Sequence, residues 1–411
     1  MYEGKIIKFY REKARLTQEQ LGRGICSATH ISKIERGLTE YASEITSLLA
    51  ERLQIDMEKE VLHLTSIKEK LDLWHEMIIS QNMQAAAEIE EELKNNPLIQ
   101  ISDYQGLYQM IQVKYYIKLG DSDMVERYMK LLPKDSENLP EFEKNVYKHV
   151  LGIYYTMMSD HLQSINILKS IDFDTYSNPL VYYDLAAAYY HNKSPVLAYY
   201  YAEQALNLYK KRNNFLGIID AENLMIIQIE SDYHRDFKET VEQYENLLTI
   251  CDLCNSMDKK AKILHNYAYE HLRRGNYLEA EKMYKESMEL KEKDTAYYLL
   301  SLEGFIRCGA EGNLLSQEEL LGYIHEGLSI ANDINEMLFT IILNLHKYAI
   351  LNRESQYYRY IDSKALPYMD THGYIMLAQR YRKELFAYYT KIGESEKALQ
   401  IAIPLVETLD D

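Results

Sequence analysis

The sequence predicts an all-α protein, with a compact N-terminal cluster of short helices followed by a long right-handed array of helical hairpins. Three observations lead there. Only 16 Gly and 7 Pro occur in 411 residues, so few positions interrupt helices. Apolar residues recur at helical rather than strand spacing. Segments of 34 to 42 residues resemble one another along most of the chain. A chain this long exceeds one ordinary globular domain. No run approaches the roughly 18 apolar residues of a membrane span, and the first residues lack the apolar core of a secretion signal, so the expected location is the cytoplasm with no membrane partner. The four cysteines, Cys26, Cys251, Cys254 and Cys308, are too scattered for a disulfide scaffold and read as reduced thiols.

Net charge is −17, which by itself argues against nucleic acid, because phosphate binding depends on Lys and Arg. The charge is unevenly spread. Residues 1–38 carry eight Lys or Arg against four Asp or Glu, whereas residues 39–411 carry 38 against 59. A small basic head on an acidic body suggests two separate tasks.

In the head, Ile6, Phe9 and Tyr10 mark the inner face of a first helix around Lys5–Arg11. Thr17 caps a second helix starting at Gln18, and Gly22, Gly24 and Ile25 allow a tight turn. Ser27 caps a third helix from Ala28 to Arg36, which stops at Gly37. Leu21, Ile31 and Ile34 can pack together, leaving Ser27, Ala28, Thr29, His30 and Lys33 outward, on a face able to enter a major groove. The bland alternatives are a basic helical cap, a solvated His30 and a purely capping Ser27. Ile45, Leu48, Leu49 and Leu53 continue the head to residue 65. The strings Thr17-Gln18-Glu19-Gln20-Leu21 and Ile31-Ser32-Lys33-Ile34-Glu35-Arg36-Gly37 closely resemble the Xre/Cro/repressor class of helix-turn-helix domains. That resemblance implies that Gln18 and Arg36 hold phosphates, that Ala28, Thr29 and Lys33 approach base edges of double-stranded DNA, and that Arg11 pairs with Glu35. The turn Gly22–Cys26 is shorter than the class usually has.

From about residue 66 to 411 the chain can be laid on the tetratricopeptide pattern, in which small residues let two antiparallel helices approach while large ones fill the gap. The clearest copy begins at Ala261, with Leu264, Tyr267, Ala268, His271, Gly275, Ala280, Tyr284 and Ser287 in the pattern's slots. Pro179 begins a second, with Tyr182, Leu185, Ala186, Tyr189, Ala198, Ala202 and Ala205. A third, from about Asn145, supplies Leu151, Gly152, Tyr155 and Ser164. Weaker copies near 67, 106, 221, 301, 339 and 379 bring the total to about nine hairpins. This predicts a tetratricopeptide-like right-handed α-solenoid whose first helices line a concave groove.

Tyrosine is abundant, 38 against eight Phe and one Trp. Its rings suit peptide recognition, but packing slots and codon usage account for them as well. Amides on first helices are more informative. Asn223, Asn266 and Asn344 can each donate to and accept from an extended backbone. Lys262, His265, Tyr269 and Arg273 share a face with Asn266, and Arg273 or Lys347 could pair with a carboxylate. Each amide taken alone also fits a solvated surface.

An Xre-type head on a tetratricopeptide-like body resembles the peptide-pheromone regulators of Gram-positive bacteria and their phages, the PlcR, NprR, Rgg and AimR relatives. The number of hairpins looks more like the NprR type. The resemblance implies a short signalling peptide in the groove, a homodimer presenting two heads, and a body that in NprR-type relatives also engages a response regulator. A protein-interaction scaffold is therefore the alternative reading. No phosphate loop, HExxH, GxSxG or zinc-spaced Cys and His cluster occurs, and no cofactor, metal or enzymatic activity is expected. Cys251-Asp252-Leu253-Cys254 matches CxxC but lacks the strand-turn setting of redox chemistry.

Overall fold

A computed structural model of the chain describes residues 2–38, 43–133, 136–229 and 236–407. Among them every regular element is helical, and the chain divides into two compact units, residues 1–228 and 229–411.

The first unit opens with α1 (Tyr2–Lys13), α2 (Gln18–Gly22), α3 (Ala28–Glu35), α4 (Ser43–Leu53) and α5 (Met57–Thr65). Local chemistry sets these boundaries. Thr17 caps α2 through a reciprocal box: its Oγ1 accepts from the Gln20 amide at 3.1 Å, and its own amide donates to Gln20 Oε1 at 2.8 Å, satisfying two free donors of the first turn. The Ser27 hydroxyl accepts from the His30 amide at 3.2 Å, and α3 stops at Gly37, φ +68°. Ile7, Leu21, Ile31, Ile34 and Leu49 form the head's core. Residues 39–42 lie outside the described residues.

Two details correct the sequence reading. Helix α1 is buried on two sides: Ile7 enters the head's core, while Ile6 joins the cluster that unites Leu64 of α5 with Ile67 and Ile99 of the body. A single inward stripe of Ile6, Phe9 and Tyr10 therefore omitted Ile7, and Phe9 and Tyr10 are only partly buried. Leu48 is 48% exposed, because Leu49 takes the core-facing position of that turn.

The body of this unit comprises α6 (Ile67–Ile79), α7 (Met83–Lys94), a 3-10 turn (Pro97–Ile101), α8 (Gln105–Leu119), α9 (Ser122–Met129), α10 (Glu141–Met157), α11 (His161–Lys169), α12 (Pro179–His191), α13 (Pro195–Lys211) and α14 (Phe215–Gln228). The second unit holds α15 (Phe237–Leu253), α16 (Met257–Arg273), α17 (Tyr277–Glu289), α18 (Ala296–Glu311), α19 (Gln317–Asp333), α20 (Met337–Ile350), α21 (Glu354–Tyr360), a π turn (Ile361–Ala365), α22 (Leu366–Thr371), α23 (Ile375–Lys391) and α24 (Ser395–Glu407).

The expected repeats coincide with helix pairs. The copy from Ala261 is α16 and α17, and its Leu264, Tyr267, Ala268, His271, Ala280, Tyr284 and Ser287 are all buried. The Pro179 copy is α12 and α13, with Ala186, Ala198, Ala202 and Ala205 buried between them. The copy near 221 is divided, α14 ending the first unit and α15 beginning the second. Consecutive helices turn on a residue in the left-handed region, often not glycine: Asn213, Asn255, Asn313, Asn335 and Asn352 all have φ between +50° and +58°, a conformation Asn tolerates better than other L-residues.

Close helix approach rests on small residues against large rings. Gly304 on α18 faces Tyr284 of α17, whose ring is buried, so a methyl group there would collide with it. Gly322 on α19 has open space around its Cα. Replacing Gly by Ala in a helix contributes about 1 kcal/mol, whereas overpacking costs about 1–3 kcal/mol. Gly304→Ala should therefore lower the denaturation midpoint and Gly322→Ala should raise it slightly; urea titration of both variants checks the contrast.

Candidate nucleic-acid interface and ligand walls

Helix α3 presents Ser27, Thr29, Lys33 and Arg36 exposed, with Ala28 and His30 half-buried. His30 buries its Nε2 without a hydrogen-bonding partner. Behind this face, Arg11 donates from Nε to Glu35 Oε1 at 2.5 Å, from Nη2 to Glu35 Oε2 at 3.1 Å and from Nη1 to the Leu16 carbonyl at 2.9 Å. Glu35 is 9% exposed, so this forked, charge-assisted pair clamps α1 to α3. The Gln18 amide donates to the same carboxylate at 2.8 Å, which orients α2 against α3 and leaves less of Gln18 for a phosphate. Arg36 donates from Nε to the Ser32 carbonyl at 3.1 Å. A further brace went unread in the sequence: Arg52 on α4 donates to the carbonyls of Leu21 and Arg23 at 2.7 and 2.6 Å, fixing the short turn before the outward helix.

In the first unit, α6, α8, α10 and α12 line a pocket of about 190 Å³ whose walls include Ile78, Ile117, Ile153 and Leu180, with Lys114 and Asp184. Beneath it lies a buried polar cluster. Lys114 is 2% exposed, and its Nζ lies 2.8 Å from His75 Nε2, 3.1 Å from His149 Nδ1 and 3.1 Å from the Tyr176 hydroxyl. Three acceptors thus meet the three protons of an ammonium. His149 passes the charge on, its Nε2 lying 2.8 Å from Asp184 Oδ2. Burial pulls Lys114 down to about 7, and burial, reinforced by the Lys114 charge, pulls His149 down to about 4.

Of the residues expected to hold a peptide, Asn223 belongs to the first unit. It is 2% exposed, so it does not display its amide on a surface. The other seven lie in the second unit. Lys262, Tyr269 and Arg273 are exposed along one face of α16, with His265 and Asn266 half-buried between them. Arg273 pairs with Glu270 at 3.4 Å and lies over the Tyr269 ring. The ring of His265 turns inward, Nδ1 being 3.0 Å from the Ser301 hydroxyl, and burial followed by the nearby Lys291 charge pulls its pKa down to about 3. On α20, Asn344 and Lys347 are half-buried, and Asn344 donates to the Thr340 carbonyl at 2.8 Å. Alongside, His346 lies 2.9 Å from Glu303 Oε1, and Arg307 donates to Glu311 at 2.6 Å. The His346–Glu303 pair leaves no local signal because its members stand 43 residues apart, whereas Arg307 and Glu311 have the i, i+4 spacing of a helix-surface pair. Cys251 is a free, buried thiol that burial pushes up to about 12, far from a reactive thiolate.

Residues 7–59 match the helix-turn-helix family. The head is a helix-turn-helix domain of the Xre type. Over 390 residues, the chain is 22% identical to the Transcriptional activator NprA of Geobacillus stearothermophilus, covering 90% of this chain and 93% of that protein. Among solved structures, the apo form of the quorum sensor NprR from B. thuringiensis superposes with a TM-score of 0.66 at 19% identity, covering 86% of this chain and all of that one. NprR in complex with its cognate peptide NprX gives 0.67 at 20% identity, covering 84% and 99%. A Rap protein complexed with Competence and Sporulation Factor gives 0.69 at 15% identity, covering 84% and 97%. The body behind the helix-turn-helix domain is thus a tetratricopeptide-like helical solenoid. Among the described residues, no helix is long and apolar enough to cross a membrane.

The lysine behind the pocket makes stability depend on pH. Unfolded, Lys114 titrates in the ordinary lysine range; folded, at about 7. Between roughly pH 7 and 10 the unfolded chain binds more protons, so stability rises with pH across that window. Lys291, at about 8, acts with the same sign. The His149 contribution is full above the ordinary histidine range and is lost as pH falls toward 4. Lys114→Met should therefore flatten, without abolishing, the rise of Tm between pH 7 and 9.5; an unchanged slope would assign that dependence to other groups.

Proposed function

We propose that this chain is a DNA-binding transcriptional regulator, not an enzyme, whose activity is controlled by a short signalling peptide bound in the concave groove of the repeat domain. The observation that carries this reading is the outward polar face of α3, held by the Arg11–Glu35–Gln18 clamp, on a chain that aligns with a transcriptional activator along nine-tenths of its length. Residues 1–65 form the DNA-binding domain and residues 66–411 the sensing and dimerising domain. Ser27, Ala28, Thr29, His30 and Lys33 meet double-stranded DNA in the major groove, with Gln18 and Arg36 at its phosphates. One head reads one half-site, so the working species is a homodimer, acting in the cytoplasm. The solved NprR with its cognate peptide NprX supports a peptide as the effector. Lys262, His265, Asn266, Tyr269, Arg273, Asn344 and Lys347 are the assigned peptide contacts, of which Lys262, Tyr269 and Arg273 present exposed side chains, whereas the buried Asn223 is set aside. The acidic body, 53 Asp or Glu against 36 Lys or Arg in residues 66–411, favours a second reading in which it also binds another protein, such as a response regulator.

Lys33→Ala should weaken binding to DNA selected by pull-down and sequencing and relax its base preference, with helicity by circular dichroism unchanged. Unchanged affinity across a salt titration would remove Lys33 from the DNA surface. Synthetic heptapeptides copied from a small open reading frame beside the gene should raise Tm in proportion to the logarithm of their excess; a flat response at high excess would count against peptide control.

A further inference from the structure

Helix α6 does more than pair with α7. Its Trp74 and His75 pack on α8 and on the segment before α12, His75 Nε2 lying 2.8 Å from Lys114 Nζ and 3.2 Å from the Tyr176 hydroxyl, and Ile78 forms part of the pocket wall. Its C-terminal end then reaches helices almost 140 residues further along. Ile79 is 5% exposed within a cluster formed by Leu180, Leu206, Tyr209 and Ile218. Three polar contacts close around it. Asn214 Nδ2 donates to the Ile79 carbonyl at 3.0 Å, Gln81 Nε2 donates to Asp220 Oδ2 at 2.9 Å, and Arg212 Nη1 lies 3.6 Å from Glu76 Oε2.

The opposite end of α6 is joined to the head. Ser66 is at once the last cap of α5 and the first of α6. Ile6 of α1 packs with Leu64, Ile67 and Ile99, and Lys5 is paired with Asp103 at 2.6 Å. The head therefore rests jointly on the N-terminal end of α6 and on the Pro97–Ile101 turn, while the other end of α6 closes over the first unit's pocket.

We propose that the end of α6 is a clasp: the Ile79–Gln81 turn shuts the first unit against α13 and α14, and a ligand that enters the pocket by displacing Ile78 draws the neighbouring Ile79 out of its cluster, opens the clasp and moves the head with α6. This rests on the reading of the chain as a ligand-controlled DNA-binding protein and names the element through which occupancy of the first unit's pocket, distinct from the second-unit peptide wall, reaches the head. The contacts at the distal end are few and polar around one isoleucine, so two isosteric changes suffice to bias the equilibrium. The opposing biases are equally local.

Gln81→Glu with Asn214→Asp sets carboxylates against Asp220 and against the Ile79 carbonyl. Asp at 214 keeps the acceptor that Asn214 Oδ1 offers the Gly217 amide at the start of α14. Gln81→Lys converts the amide contact with Asp220 into an ion pair. Two readouts in the full chain, without DNA or peptide, test the clasp. One is hydrogen exchange of residues 67–79. The other is the distance distribution between nitroxides at Lys13→Cys and Lys211→Cys, with Cys26 and Cys254 replaced by serine.

The double variant should accelerate exchange of α6 at least tenfold while leaving α10 unchanged, and should broaden or shift the distance distribution. Gln81→Lys should slow α6 exchange. Unchanged exchange in both variants, acceleration shared equally by α10, or an unmoved distance distribution in an opened α6 would each overturn the proposal. If the double variant fails to fold, slowed exchange in Gln81→Lys supports the clasp and unslowed exchange overturns it. Failure of DNA pull-down or of the peptide titrations would sink the regulatory reading while leaving these two measurements intact.

Discussion

Close approach of neighbouring helices is the constraint on which both units depend. A helical hairpin cannot bury its apolar face alone and must lend it to the next. The separation at which it does so is set by pairs of very small and very large residues: Gly152 beneath Leu168, Gly217 beneath Tyr209, Gly304 beneath Tyr284. Alanines at 186, 198, 202, 205, 268 and 280 do the same with less room. Tyrosine serves here because its ring fills the gap and its hydroxyl can reach a partner at the edge, as Tyr298 and Tyr357 do with Glu326 and Glu384. Much of the unusual tyrosine content is accounted for by packing of this kind, with stacked pairs such as Tyr244 and Tyr267.

What could be read from the sequence was what is local. Thr17, Ser27 and Gly37 announce the boundaries of α2 and α3 because a cap acts within one turn of its helix. Ala268, Ala280 and Tyr284 announce their hairpin because their spacing reflects one helix face on the next. Turns were harder to read, since Asn213, Asn255 and Asn335 stand where glycine is the usual marker. The candidate site was the least legible part. Spacing places Asn223 on a first helix but does not reveal what covers it. Lys114 reads as a solvated charge until His75, His149 and Tyr176, 35 to 62 residues away, are brought around it.

Within the first unit, the body treats charge differently from the head. In the head, a single buried carboxylate, Glu35, gathers Arg11 and Gln18 and leaves the opposite face to solvent. In the first unit, positive and negative charge are separated by a neutral ring, Lys114 to His149 to Asp184, spanning three helices. Buried ionic groups are costly unless fully partnered, and this chain of partners is complete at each nitrogen named. Such an arrangement favours one register of α8, α10 and α12 over its neighbours.

The π turn at Ile361–Ala365 bears on how this array tolerates change in length. The amide of Leu366 bonds to the Ile361 carbonyl, five residues back, just ahead of Pro367, which has no amide to give. One residue is thereby inserted into a helix without breaking it, and each residue of an α-helix advances the chain by about 100°. Because the wider turn winds less per residue, its five residues advance about as far around the axis as four ordinary ones, so deleting one here would restore regular winding and leave Leu366 and Met369, both buried, in the core they share with Ile361 and Leu385. A lineage can therefore gain or lose this residue without rephasing α22, and the irregular length of that repeat is absorbed within a single turn.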